Sequence, residues 1–138
     1  MPDDSPQKFN SYKDLKVWRQ AMDIAQDIYQ LAKTMAKKDP DLAAQLRYRA
    51  SQIPVSLASG YQKKYQSQQA YTYMLRDTLG KLHSLDCMVI LATELEAMAP
   101  NDELMDAIDH CSRMLMVMIK VVNPRNAQTK EAKVKKEN

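Results

Sequence analysis

Helical patterning runs unbroken through a residue that ordinarily ends a helix. Leu42, Leu46, Arg49, Ile53, Leu57 and Gly60 recur at intervals of three and four, which places them along one helical face. Pro54 stands inside that run. Its ring removes the amide that would bond the Ala50 carbonyl and crowds that carbonyl, at a cost of roughly 3 kcal/mol. Such a helix persists only where packing against neighbours offsets the loss. Two roles are open to the proline. It can let the helix follow a bundle, with a Ser51 or Ser56 hydroxyl meeting the freed carbonyl, or it can shape a groove at Ser56 and Ser59.

The rest of the chain fits a bundle. It has 138 residues, 45% of them hydrophobic, and only two glycines. There is no strand-like alternation and no internal repeat, so one all-α domain is expected, large enough to bury a core. No apolar run nears the roughly 20 residues of a membrane span, and the polar opening Met1–Ser5 lacks the apolar centre of a signal peptide. The expected setting is the cytoplasm, with no membrane partner. Two cysteines, Cys87 and Cys111, form no disulfide framework.

Helix-end signals divide the chain into four helices of an antiparallel up-down bundle. The first starts at Ser11, with Asp14 favouring its dipole, and runs to about Lys38. The second opens at Asp39-Pro40, a cap followed by proline at the first helical position, and ends near Gly60. The third spans about Ser67 to Met98; after Pro100-Asn101 the fourth begins at Asp102-Glu103 and stops before Pro124. The resulting domain covers residues 11–123, flanked by a flexible segment 1–10 and a disordered basic tail 124–138.

Apolar stripes on these helices are wider than one neighbour requires. On the first, Leu15, Trp18, Met22, Ala25, Tyr29, Ala32 and Ala36 form one seam, and Val17, Ala21, Ile24, Ile28, Leu31 and Met35 form another. The fourth helix repeats Leu104, Ile108, Cys111, Leu115, Met118 and Val122, the spacing of shallow-angle bundle packing, with Met105, Met114 and Met116 widening it. Either internal packing absorbs both seams or copies of the chain associate; self-association is the expectation. Gly80, inside the third helix, costs about 1 kcal/mol relative to alanine, which a close helix approach would offset.

Net charge of +3 conceals an asymmetry: residues 41–82 carry six basic and two acidic side chains, whereas residues 83–123 carry two and seven. The six cations, Arg47, Arg49, Lys63, Lys64, Arg76 and Lys81, flank five of the seven tyrosines, Tyr48, Tyr61, Tyr65, Tyr71 and Tyr73. Cations neutralise phosphates and aromatic faces stack unpaired bases, so these six are candidate nucleic-acid contacts. The alternative is a protein interface in which the rings are buried and the cations keep the rim wet. Arg47 and Arg49 point to different faces of their helix and cannot both meet one phosphate row within a subunit. Lys130, Lys133, Lys135 and Lys136 give the tail its own capacity for polyanions.

Catalytic signals are weak. His83 and Cys87 lie four apart and the turn at Pro100 brings the third and fourth helices together, so a zinc site with His110 and Cys111 is conceivable. Cys111, however, belongs to an apolar seam from which His110 points away, and core thiols with a surface histidine fit better. Asp102, Glu103, Asp106 and Asp109 read as an acidic helix start and a solvated face. Neither a phosphate loop nor a nucleophile motif is present, so no catalytic residue, cofactor or metal is assigned.

Tyr12-Lys13-Asp14-Leu15-Lys16-Val17-Trp18-Arg19-Gln20-Ala21 resembles the opening of the four-helix-bundle proteins encoded in intervening sequences of bacterial 23S ribosomal RNA genes. Gln45-Leu46-Arg47, Ile53-Pro54 and Gly60 resemble their central signature, and Met74-Leu75, Gly80, Leu82, Leu85 and Asp86 their third helix, so the likeness covers about residues 10–122. It departs at Ser56, Ser59, Lys81 and Ser84, where the family usually has asparagine, glutamate, serine and glutamate. The resemblance implies a non-enzymatic homo-oligomer, a pentamer by analogy, associated with RNA or single-stranded nucleic acid. A related branch, the accessory proteins of diversity-generating retroelements, implies a reverse transcriptase as partner; a pure oligomerisation scaffold is the third reading.

Overall fold

The computed structural model describes residues 11–123; the expected flexible start and basic tail lie outside the described residues. Four helices follow in order: α1 Lys16–Met35, α2 Pro40–Gly60, α3 Gln68–Glu94 and α4 Asp102–Val122. Each packs on the next and α4 returns against α1, closing an up-down bundle. Among the described residues no helix is long and apolar enough to cross a membrane.

Local chemistry explains the boundaries. Ser11 does not open α1. Its hydroxyl accepts from the Lys13 amide while its own amide donates to Asp14, a capping box that closes a separate 3-10 turn at Tyr12–Asp14. The backbone extends at Leu15 before α1 begins, and the Tyr12 ring packs edge-on to Trp18 at 5.2 Å. Asp39, Ser67 and Asn101 cap α2, α3 and α4, each accepting an amide three residues ahead. Between α2 and α3 the chain makes a second 3-10 turn at Tyr61–Tyr65.

The third helix stops at Glu94, four residues before the expected Met98. Its end is a Schellman motif: the Glu96 amide donates to the Thr93 carbonyl and the Ala97 amide to the Ala92 carbonyl. Glu96 takes the left-handed conformation, φ 60°, that glycine usually supplies at this position.

Large aliphatic side chains fill the core, among them Ile24, Ile28, Leu46, Ile53, Leu57, Leu75, Leu82, Leu85, Ile108 and Leu115. Each contributes about 1.5–3 kcal/mol by leaving water. One seam of α1 is absorbed there, with Val17, Ala21, Ile24, Ile28 and Met35 buried and Leu31 partly so. In the other seam only Ala32 is fully covered; Leu15, Trp18, Met22 and Ala25 are half-buried and Tyr29 is exposed. On α4, Leu104, Ile108, Cys111 and Leu115 are buried, whereas Met116, Val117 and Val121 remain exposed.

The helix carrying Pro54 continues through it, and Pro54 is itself buried. The serine hydroxyls do not rescue the freed Ala50 carbonyl as expected: Ser51 donates to the Tyr48 carbonyl at 2.8 Å, and Ser56 Oγ accepts from Lys81 across the bundle. The two glycines also differ from expectation. A side chain at Gly80 would meet nothing within 4 Å, so no close helix approach compensates it, whereas one at Gly60 would overlap Met74 Cγ.

Candidate nucleic-acid interface

The six candidate cations fall into four settings. Arg49 lies seven residues before Ser56 on one stripe of α2, and Ser56 faces α3 through its contact with Lys81. Lys63 continues that side past Gly60, lining a cleft with Ser59, Tyr73 and Lys81. Arg49, Lys63 and Lys81 therefore share the α2–α3 side. Arg47, four before Ser51 and seven before Pro54, belongs instead to the α1 side, where those two residues border a groove with Met22, Ala25 and Tyr29. Arg76 is exposed on the outward part of α3.

Lys64 occupies the fourth setting. Its ammonium donates to the Tyr61 hydroxyl at 3.0 Å and stands over the Tyr61 and Tyr65 rings, 4.7 and 5.4 Å from their centroids. The hydrogen bond to Tyr61 holds its pKa above the usual lysine value, since the phenol oxygen and the ring faces favour the charged form. Burial raises the pKa of nearby Tyr71. Lys64 thus serves the turn between α2 and α3 as well as carrying charge.

The tyrosines divide in the same way. Tyr61 and Tyr71 are buried, 7% and 6% exposed, and belong to the packing of this end of the bundle. Tyr48, Tyr65 and Tyr73 are 64%, 65% and 73% exposed; Lys64 stands over the Tyr65 ring, whereas no ring or cation contact engages Tyr48 or Tyr73 among the described residues. Among the described residues no ion pair engages Arg47, Arg49, Lys63 or Arg76. Their charges are available to phosphates.

Lys81 has partners in two directions. Its ammonium donates to Ser56 Oγ at 2.8 Å and pairs with Asp77 at 3.2 Å. Asp77 escaped the sequence reading; its position four residues before Lys81 on a helix was the signal that could have found it. A serine beside a lysine is also the raw material of nucleophilic catalysis. Here Lys81 is itself the donor to Ser56 Oγ and is paired with Asp77.

The residues considered for zinc do not converge. Among the described residues no group of three or more His, Cys, Asp or Glu side chains is placed to hold a metal ion. His83 lies 3.4 Å from Ser112 Oγ on α4, whereas His110 borders the opposite groove, between α1 and α4. Cys111 is fully buried and its thiol is pushed up to about 11 by burial. Cys87 is exposed and is not the core thiol expected.

Among protein-family models, that of the 23S rRNA-intervening sequence protein matches residues 13–117, most of the chain. No curated protein and no solved structure gives a significant match.

Proposed function

Because this chain belongs to the 23S rRNA-intervening sequence protein family, we propose that it is a non-enzymatic, self-associating bundle that engages RNA or single-stranded nucleic acid. The observation carrying the nucleic-acid reading is the α2–α3 side, where Arg49 and Lys63 stand without carboxylate partners and the Tyr73 ring is open. This combination suits a polyanion with accessible bases. Self-association is supported by the half-covered seam of α1, which borders a largely apolar groove ending at exposed Val55 of α2. A pentamer follows from the earlier family analogy, and a closed ring would repeat the basic side in every subunit, raising its effective concentration for a long strand.

The test is binding of a structured RNA and of a single-stranded oligonucleotide over a range of salt, with particle mass measured by light scattering. The full-length protein should bind weakly, lose affinity steeply as salt rises, and lose most of it in an Arg49→Glu, Lys63→Glu variant. Equal affinity and equal salt dependence in that variant would move binding to the lysine-rich tail. A monomeric mass at micromolar concentration would remove the oligomer. A reverse transcriptase remains the alternative partner; its association without nucleic-acid binding by this chain would favour the retroelement branch.

A further inference from the structure

Ser56, Ser59 and Lys81 line one small polar cleft between α2 and α3. They are far apart in sequence, and the bundle brings them together. Lys63 enters from the turn after α2, so two cations face one carboxylate, Asp77.

The cleft offers several hydrogen-bond donors to an anion. Ser56 is 9% exposed, and its oxygen accepts from Lys81 at 2.8 Å, which orients the hydroxyl and leaves its proton to donate. Ser59 Oγ makes only a long contact, 3.4 Å, to the Ser56 carbonyl, an arrangement readily exchanged for a better acceptor. Lys81 retains one donor beyond those directed at Ser56 and Asp77. Tyr73, Asp77 and Lys81 are spaced by four along α3, so an open aromatic ring stands two turns from the ammonium on the same stripe.

We propose that Ser56, Lys63 and Lys81 form a subsite for a backbone phosphate of single-stranded nucleic acid, that Tyr73 stacks a neighbouring base, and that Asp77 competes with the phosphate for Lys81. This rests on the nucleic-acid reading above and adds to it a position, a strand type and a built-in competitor. The ring excludes a preference for duplex, whose bases offer no free face to stack on. The carboxylate keeps the site weak, because a phosphate must take over an ammonium already paired.

The experiment measures affinity of the full-length protein for a fluorescent single-stranded RNA oligonucleotide by anisotropy at several salt concentrations, with duplex RNA and inorganic phosphate as competitors. Asp77→Asn should tighten binding, by about threefold, since it frees Lys81 without altering shape. Lys81→Gln should weaken it by about tenfold and reduce the salt slope by about one, and Tyr73→Ala should weaken it by about tenfold with the slope unchanged. In the double variant the Asp77→Asn gain should vanish, because Asp77 acts through Lys81. Single-stranded RNA should compete better than duplex, and inorganic phosphate only at far higher concentration. Circular dichroism and particle mass confirm that each variant keeps its fold and assembly. If the unaltered protein binds and none of these variants moves affinity, the subsite is overturned while the general reading stands. If the unaltered protein binds no nucleic acid, both fall.

Discussion

Alanine at the two glycines of this chain should change stability in opposite directions, for reasons visible in their surroundings. At Gly80, on the exposed side of α3, an added methyl meets nothing within 4 Å. The only effects left are the backbone entropy glycine loses on folding and its poor helix propensity, so Gly80→Ala should stabilise by about 0.5–1 kcal/mol. Gly60 sits where α2 gives way to the 3-10 turn, with φ −95° and ψ −4°, a conformation alanine tolerates. Propensity alone would favour alanine there too. The added methyl, however, would overlap Met74 Cγ and lie 3.1 Å from its sulfur. Met74 is itself buried between α2 and α3, so its shaft cannot swing into solvent. Displacing it also disturbs Thr78, whose hydroxyl lies 3.5 Å from the Met74 sulfur. Overpacking of this kind costs about 1–3 kcal/mol, and subtracting the propensity gain leaves Gly60→Ala less stable by up to about 2 kcal/mol.

Urea unfolding followed by far-ultraviolet circular dichroism measures both, at one fixed protein concentration because assembly makes apparent stability depend on it. The midpoints should move apart with the slope unchanged. A Gly60→Ala protein as stable as the original would show that the α2–α3 contact repacks freely. A Gly80→Ala protein that is less stable, or that loses particle mass, would show that another copy approaches α3 closely at Gly80.

Other substitutions test separate features. Pro54→Ala should leave particle mass and nucleic-acid binding intact while changing stability in either direction; loss of binding with the fold retained would make the proline part of a site. Glu96→Gly should stabilise by about 0.5–1 kcal/mol in the same urea assay, since glycine occupies the left-handed position without the side-chain penalty. Native protein treated with a thiol reagent should label Cys87 and spare Cys111 until it unfolds. Cys111 ionises near 9 when exposed and at about 11 when folded, so the unfolded state holds fewer protons in that window and stability should fall as pH rises through it, by up to about 1.4 kcal/mol per pH unit from this group. A Cys111→Ala protein should lack that component.

The bundle was legible because its signals are local. Asp39-Pro40 and Asn101-Asp102 carry cap chemistry within a few residues, and the structure begins α2 and α4 at Pro40 and Asp102. Of the misplaced ends, which include α1 stopping at Met35 and not near Lys38, two have identifiable causes. At the start of α1, Ser11 is a genuine cap, but the turn it caps ends at Asp14 and the extended backbone at Leu15 separates it from the helix. At the end of α3 the stop is a left-handed glutamate, and nothing in a glutamate's chemistry announces the conformation that glycine normally marks.

The candidate interface was legible as a composition and not as an arrangement. Counting cations between residues 41 and 82 brought Lys63, Lys64 and Lys81 together as equals, yet each experiences a different field. Lys64 differs from Lys63 by one position, and that rotation carries its ammonium onto two aromatic rings and a phenol oxygen. Lys81 meets a serine twenty-five residues away, a contact that depends on the register between α2 and α3 and so on the packing of side chains such as Met74 against Gly60. Helical periodicity fixes which residues share a stripe; it does not fix how far one helix slides along another. The Ser56–Lys81 bond is therefore a consequence of core packing, and the chemistry of the cleft depends on a glycine that makes no polar contact itself. Gly60→Ala should accordingly weaken binding of single-stranded RNA as well as stability, whereas Gly80→Ala should leave binding unchanged. Unaltered affinity in a folded Gly60→Ala protein would separate the cleft from the Met74–Gly60 packing.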